Sequence, residues 1–189
     1  MTKPPAAHLR PWAPADAPGL RAASADPELA RQLGGAPFDD VAAAAAFIAT
    51  RYRHDEHART WAVVDEHGTV VGSVSATAVE YGHGTAWISY WLVPSARGRG
   101  LATRALVAAA EDAFALGLHR LELGHRTNNP GSCGVARRAG FAAEGIEREK
   151  LRYGDERFDV ETHARLTTDP APDVRPLPIV PRAIVAAGS

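Results

Sequence analysis

Leu92-Val93-Pro94-Ser95-Ala96-Arg97-Gly98-Arg99-Gly100-Leu101-Ala102-Thr103 decides how the rest of the chain is read. A strand-like run, Trp87 to Val93, leads into it, and a helical run from Leu101 to Leu116 follows. A strand that breaks into a Gly/Arg turn and then opens a helix leaves backbone N–H groups unpaired at the positive end of the helix dipole. Such a terminus suits a phosphate or pyrophosphate. Gly98 and Gly100 let the backbone approach a ligand closely, and Arg97 and Arg99 add charge. The spacing is not that of a Walker loop, because no Lys-Ser/Thr pair follows a second glycine, and it does not read G-x-G-x-x-G.

Working back from the turn, Thr60-Trp61-Ala62-Val63-Val64 and Thr69 to Thr77 are β-branched runs separated by Asp65-Glu66-His67-Gly68. They read as a hairpin with Gly68 as its turn residue. Gly82-His83-Gly84 makes the next turn and Thr85 to Val93 a third strand, so three antiparallel strands lead into the glycine turn. Nearer the start, His8 to Trp12 reads as an edge strand stopped by Pro14. Asp16 is placed to N-cap a helix running to about Ala25, and Asp26-Pro27-Glu28 begins a short helical turn that Gly34-Gly35 ends. A second helix starts at Asp39 or Asp40, passes through the alanine run 42–46 and reaches about His57. Its acidic start and basic end (Arg51, Arg53, His54) complement the helix dipole.

Beyond the turn, Ala102, Ala105, Leu106, Ala109, Ala113 and Leu116 recur at helical spacing, and Gly117 caps the helix. Leu118 to His125 is a strand, Pro130 to Ala139 a short helix ended by Gly140, and Phe141 opens another strand. Tyr153 to Arg157 is a hairpin turn and Phe158 to Leu166 the last strand. The order β-α-α-β-β-β-α-β-α-β-β predicts an α/β domain over residues 1–166, its mixed, mostly antiparallel sheet flanked by helices. The phosphate turn falls where the third hairpin strand hands over, through a helix, to the Leu118 strand, and ligands gather at such switch points. Residues 167–189 are proline-rich and predict an extended or disordered tail. Its apolar patch, Ile179-Val180-Pro181 with Ala183-Ile184-Val185, is suited to dock on the body or on a neighbouring chain.

Composition narrows the class. The chain has 189 residues, 46% of them hydrophobic, and a formal charge of −1, which predicts one domain of ordinary core size rather than a general nucleic-acid binder. Cys133 is the single cysteine, so the chain can form neither an internal disulfide nor a Cys-cluster zinc site. The eight histidines show no metal spacing, so no metal is expected. No apolar run reaches spanning length and no leader pattern is evident, so the expectation is a cytoplasmic protein without a membrane partner.

On these residues the chain resembles the GNAT acetyltransferases, and within them the RimJ/RimL-like branch that acetylates protein N-termini. Arg97-Gly98-Arg99-Gly100-Leu101-Ala102 is similar to the pattern Arg/Gln-x-x-Gly-x-Gly/Ala that holds the pyrophosphate of coenzyme A. Asn129-Pro130-Gly131-Ser132, followed by Val135-Ala136-Arg137-Arg138-Ala139-Gly140-Phe141, resembles the branch's second motif, Asn-x-x-Ser with a Gly-Phe ending. Leu9-Arg10-Pro11-Trp12 with Asp16 resembles its opening, and Glu144-Gly145 and Asp159-Val160-Glu161 its close, so the likeness spans roughly residues 8–166.

The resemblance implies acetyl-CoA as cosubstrate and an amine-bearing protein, peptide or small molecule as acceptor, with a monomer or homodimer expected. It implies that the backbone of Gly98, Arg99, Gly100, Leu101, Ala102 and Thr103, with Arg97, binds pyrophosphate. Strand residues at Leu92 and Val93 would pair with the pantetheine arm and offer a backbone N–H to the thioester carbonyl. Asn129 would bond the pantetheine amide. Many GNAT enzymes use a second-motif tyrosine as thiol acid, but Ala136 holds that place here, which leaves Ser132 as the candidate. A strand glutamate that serves some members as base is replaced by Ala86 or Trp87. The remaining base candidates are Glu80, Glu122, His125 and Glu144, or a water held by Ser89 or Tyr90. Trp87 and Trp91 are even-spaced and share a face with Ser89, so both are candidates to wall the acceptor pocket, and Ser89 and Tyr90 are further candidates for it. The departures from the motif also leave open a non-catalytic acyl-CoA-binding module.

Overall fold

Seven strands build the sheet that carries the site: β1 (His8–Pro11), β2 (Arg59–Val64), β3 (Val70–Glu80), β4 (Thr85–Leu92), β5 (Arg120–Arg126), β6 (Ala142–Tyr153) and β7 (Glu156–Leu166). In this computed structural model, which describes residues 6–180, they lie in the order β1-β2-β3-β4-β5-β7-β6. Every pairing is antiparallel except β4 with β5. That junction is made by the crossover helix α4 (Leu101–Ala115), as a parallel connection requires.

Strand alternation divides the core into two layers. Trp61, Val63, Val74, Ile88 and Leu121 point to one face, where they meet Leu101, Ala105, Leu106 and Ala109 of α4 and Ala136 of α5 (Pro130–Arg138). Alanines on the inward side of α4 let the helix lie close to the sheet, and burying Leu106 alone contributes about 1.5–3 kcal/mol. Ala62, Val64 and Trp91 point to the other face, against α1 (Ala17–Ala23), α2 (Pro27–Gln32) and α3 (Val41–Arg51).

The mixed, mostly antiparallel sheet is the one expected, with corrections at element ends. The helical turn at Pro27 is a helix in its own right, capped by Asp26, whose carboxylate accepts from the amides of Glu28 and Leu29. Asp16 does not cap α1 through its side chain; its carboxylate takes two hydrogen bonds from Arg10, both 2.7 Å, and one from the Ala13 amide. Helix α3 stops at Arg51 instead of near His57. Its C-cap Tyr52 turns into the aromatic layer, 4.8 Å from the Trp12 ring, and residues beyond it form a turn in which Asp55 accepts from the amides of His57 and Ala58. Strand β3 runs past Thr77 to Glu80 through a bulge at Ala78, where φ is +49°.

Residues 167–180 pass back over the body. Leu177 is 2% exposed within the α4 layer, the Leu9 amide donates to Pro178 at 2.9 Å, and the Val180 amide donates to Leu9 at 2.8 Å. The prolines are tolerated because the segment joins the sheet only at its edge strand, in one parallel bridge between Leu9 and Ile179. Of the expected docking patch, Ala183, Ile184 and Val185 lie outside the described residues.

Candidate active site

Strands β4 and β5 stay paired only from Thr85–Arg120 to Trp87–Glu122 and then part. β4 continues along β3 as far as Leu92, while β5 follows β7 to Arg126, so a gap opens in the middle of the sheet. The Val93 amide donates to Val71 at 2.9 Å, which fixes the alternation: Ser89 and Trp91 turn their backbone groups to β3, whereas Ile88, Tyr90 and Leu92 turn theirs to the gap. Backbone donors and acceptors lining an open gap invite an extended, amide-bearing ligand.

At one end of the gap the chain makes a short 3-10 turn, Pro94–Ala96, and enters the glycine turn. Gly98 and Gly100 have φ of +77° and +74°, a region that favours glycine, and a β-carbon at either would meet no atom within 4 Å. Gly100 is the N-cap of α4 and supplies no side-chain cap, so the first amides of the helix (Leu101, Ala102, Thr103) face outward for an anion. The two arginines do other work in this structure. Arg97 Nε donates to the Leu92 carbonyl at 3.1 Å, tying the turn to the strand, and Arg99 is paired with Glu66. Neither guanidinium is left over for an anion, so what the turn offers is backbone.

At the far end lies a cleft of about 320 Å³ lined from both faces of the sheet. Ser73, Ser75, Trp87, Ser89 and Trp91 form its floor, and Phe47 and Tyr52 one wall. Trp91 Nε1 donates to the Tyr52 hydroxyl at 3.0 Å and Trp12 Nε1 to Ser73 Oγ at 3.1 Å, so the ring nitrogens are satisfied and the rings are fixed. Burial holds the Tyr52 phenol well above its ordinary pKa. Leu151 and Tyr153 close the cleft from the β6–β7 hairpin. Arg126 sits at the mouth, 5.4 Å from the Tyr153 ring and paired with Glu28, which also holds Arg31.

Asn129 and Ser132 line the same cleft from the head of α5. Asn129 caps α5, its side-chain oxygen accepting the Ser132 amide at 3.1 Å. Ser132 Oγ has no hydrogen-bond partner among the described residues. The Tyr90 hydroxyl donates to the Ser132 carbonyl at 3.1 Å; burial pushes that phenol up to about 12. Tyr90 thus lies on the α5 side of β4, opposite Trp87 and Ser89, and its proton is already engaged.

The base candidates do not converge. Glu80 closes the β3–β4 turn, accepting from the amides of Gly82 at 2.7 Å and His83 at 2.6 Å, and lies away from the cleft. Glu122 accepts from Arg120 at 2.6 Å, and Glu144 is paired with the same guanidinium, which holds its carboxyl below the usual range. His125 does line the cleft, but Nδ1 bonds the Arg126 carbonyl at 3.0 Å and Nε2 points inward to His163. Trp91, expected as a wall of the acceptor pocket, does line the cleft, whereas Phe47, Tyr52 and the hairpin pair Leu151 and Tyr153 were not legible beforehand. They reach the cleft from α3, its C-cap and β6, far from β4 in the chain, and no local pattern marks such a meeting.

Residues 7–142 match the model of the acetyltransferase (GNAT) domain. Ribosomal-protein-serine acetyltransferase of Escherichia coli (strain K12) is 35% identical over 98 residues, 51% of this chain and 55% of that one. The chain spans about half the length of the curated relatives it matches. Among solved structures, RimL, a ribosomal L7/L12 alpha-N-protein acetyltransferase in complex with coenzyme A, superposes with a TM-score of 0.71 at 22% identity, covering 84% of this chain and 92% of that one. A variant of the spermidine N-acetyltransferase SpeG from Vibrio cholerae also gives 0.71, at 21% identity over 85% of this chain and 93% of that one. These two likenesses show the fold. No helix of the described residues is long and apolar enough to cross a membrane. With the parted strands, the glycine turn and the family match together, the chain belongs to the GNAT acetyltransferases.

Proposed function

We propose that the protein transfers the acetyl group of acetyl-CoA to the α-amine of a protein or peptide N-terminus. What supports the transfer is the placement of three features along one strand: the uncapped start of α4 that follows β4, the edge of β4 left unpaired by β5 beyond Trp87, and the cleft lined by Trp87 and Ser89. In this reading the outward amides of Leu101, Ala102 and Thr103 hold the pyrophosphate, and Leu92 and Val93 flank the pantetheine arm. Asn129, whose amide nitrogen is left over from capping, bonds it. A backbone N–H of the parted strand meets the charge that builds on the thioester oxygen. As the thiolate leaves, Ser132 Oγ passes its hydrogen to the sulfur and is reprotonated, through water, by the proton that the attacking nitrogen sheds. The acceptor amine loses its proton to water, because no candidate carboxylate enters the cleft. An α-amine, with a pKa of about 8, tolerates this better than a lysine at about 10.4.

The lining of the cleft supports a peptide over a polyamine. Glu28 is the one carboxylate among the described lining residues, and Arg31 and Arg126 already hold it. A polycation would find no free negative charge there. Acetylation of a peptide array with varied N-terminal residues, run beside a panel of polyamines and aminoglycosides, tests the reading. Acetylated peptides are expected; transfer confined to small amines overturns the acceptor assignment, and acetyl-CoA binding without thiol release on any acceptor overturns the activity.

A further inference from the structure

Directly beneath Ser132, four side chains from three elements converge. His125 of β5 faces Glu161 of β7 in the strand register, and His163 lies two residues further along on the same face. The first turn of α5 brings Cys133 to the same group. The donor atoms of all four lie within 4.8 Å of one another. His125 Nε2 is 3.0 Å from His163 Nε2, and Glu161 Oε2 is 3.0 Å from His163 Nε2 and 3.3 Å from His125 Nε2. Arg137 touches only the other carboxylate oxygen, at 3.7 Å.

The ring orientations decide what this cluster holds. Nδ1 of His125 bonds the Arg126 carbonyl at 3.0 Å, and Nδ1 of His163 bonds the Phe141 carbonyl at 3.2 Å. A carbonyl only accepts, so each Nδ1 carries the hydrogen. In the neutral rings both Nε2 atoms are then bare, and two lone pairs confront each other where the histidines are 7% and 1% exposed. A bonded Nδ1–H with Nε2 turned inward is the arrangement of metal-ligating imidazoles. Zinc–nitrogen bonds of about 2.0–2.1 Å would separate two tetrahedral ligands by roughly 3.3 Å, close to the spacings of the nitrogen and oxygen donors here. Charge agrees as well: two neutral imidazoles, one carboxylate and one thiolate balance a divalent cation.

We propose that His125, Cys133, Glu161 and His163 form a binding site for a zinc-class divalent ion. Binding releases the Cys133 thiol proton to solvent; the other three donors arrive ready. With four protein ligands the site is closed, so the ion joins α5 to β5 and β7 and fixes the helix that carries Asn129 and Ser132. Sequence spacing does not reveal it, because the ligands lie far apart in the chain and meet only through the antiparallel register of β5 with β7.

The test uses the full chain stripped with a chelator and titrated with Zn²⁺ against a chromophoric competitor, then with Co²⁺ alone. One equivalent is expected, with a raised melting temperature, tetrahedral Co²⁺ absorption and a thiolate-to-cobalt charge-transfer band. Cys133→Ser, at a half-buried position and nearly isosteric, is expected to abolish that band and weaken Zn²⁺ binding by at least about tenfold. His163→Gln is expected to do the same, with circular dichroism checking that it folds. Absence of stoichiometric Zn²⁺ binding, or binding that Cys133→Ser leaves unchanged, overturns the site. The first result would mean that the two histidines share a proton instead.

Discussion

The Tyr90 hydroxyl donates to the Ser132 carbonyl at 3.1 Å, tying the strand that lines the gap to the helix that stands over it. The bond matters because β4 has no sheet partner on that side beyond Trp87. Tyr90→Phe keeps the ring and removes the tie. It should cost about 1 kcal/mol of stability, the ordinary net worth of such a bond. It should also raise the KM for acetyl-CoA severalfold while altering kcat less, because the hydroxyl positions α5 and does not reach the reacting atoms. Urea unfolding and steady-state kinetics check both; a variant with unchanged KM would show that α5 is held by its packing alone.

Glycine substitutions separate ligand space from packing space. Gly98→Ala and Gly100→Ala place a β-carbon in open space at positive φ, so each should destabilise by only about 1–2 kcal/mol while sharply weakening acetyl-CoA binding. Gly72→Ala is the contrast. Its β-carbon would fall 2.3 Å from the Trp91 carbonyl and 2.4 Å from the Leu92 side chain, so it should cost at least about 3 kcal/mol. Calorimetric titration and thermal melts distinguish the two outcomes; a Gly98→Ala protein that binds acetyl-CoA with full affinity would argue against the cradle.

The contrast shows what could be read in advance. The Gly98–Gly100 turn is local: its strand, glycines and helix start are contiguous, so sequence alone located it. Binary patterning likewise placed every strand, because alternation and turn residues are short-range signals. What escaped depends on tertiary partners. Helix α3 stops at Arg51, and its C-cap Tyr52 turns its ring to the distant Trp91 and Trp12, which nothing within residues 39–57 announces. Glu80 and Glu122 were plausible bases by type, but an adjacent turn and an arginine two residues away had already engaged them. The His125 and His163 pair was invisible for the same reason, since register brings it together.

Two buried phenols make stability sensitive to alkali. The Tyr90 phenol is pushed up to about 12 by burial, and burial raises the Tyr52 phenol further. In the unfolded chain both ionise near a pKa of about 10. A group whose folded pKa is raised contributes stability that is fully present below the unfolded value and is lost as pH rises towards the folded one. Stability should therefore hold up to about pH 9 and then fall, each phenol adding a slope of about 1.4 kcal/mol per pH unit. Tyr52→Phe should lose about 1 kcal/mol at neutral pH, where Trp91 Nε1 loses its acceptor, yet show the shallower alkaline slope. Equal slopes in urea denaturation at pH 8–11 would refute this assignment.

Ser132 and the two glutamates make opposite predictions for the chemical step. Ser132 Oγ stands at the head of α5 with no protein partner among the described residues, free to reach a departing sulfur. Ser132→Ala should lower kcat by about a hundredfold, the lower range for a lost proton donor, and leave the KM for acetyl-CoA nearly unchanged. Glu80→Gln and Glu122→Gln should retain most of the wild-type kcat, because the first caps a turn and the second bonds Arg120. A thioester analogue with a more acidic thiol should recover part of the Ser132→Ala loss, since a better leaving group needs less help from a donor. If the serine variant keeps full kcat, or if the acidic thiol gives no recovery, the thiolate takes its proton from water and Ser132 serves only to begin the helix.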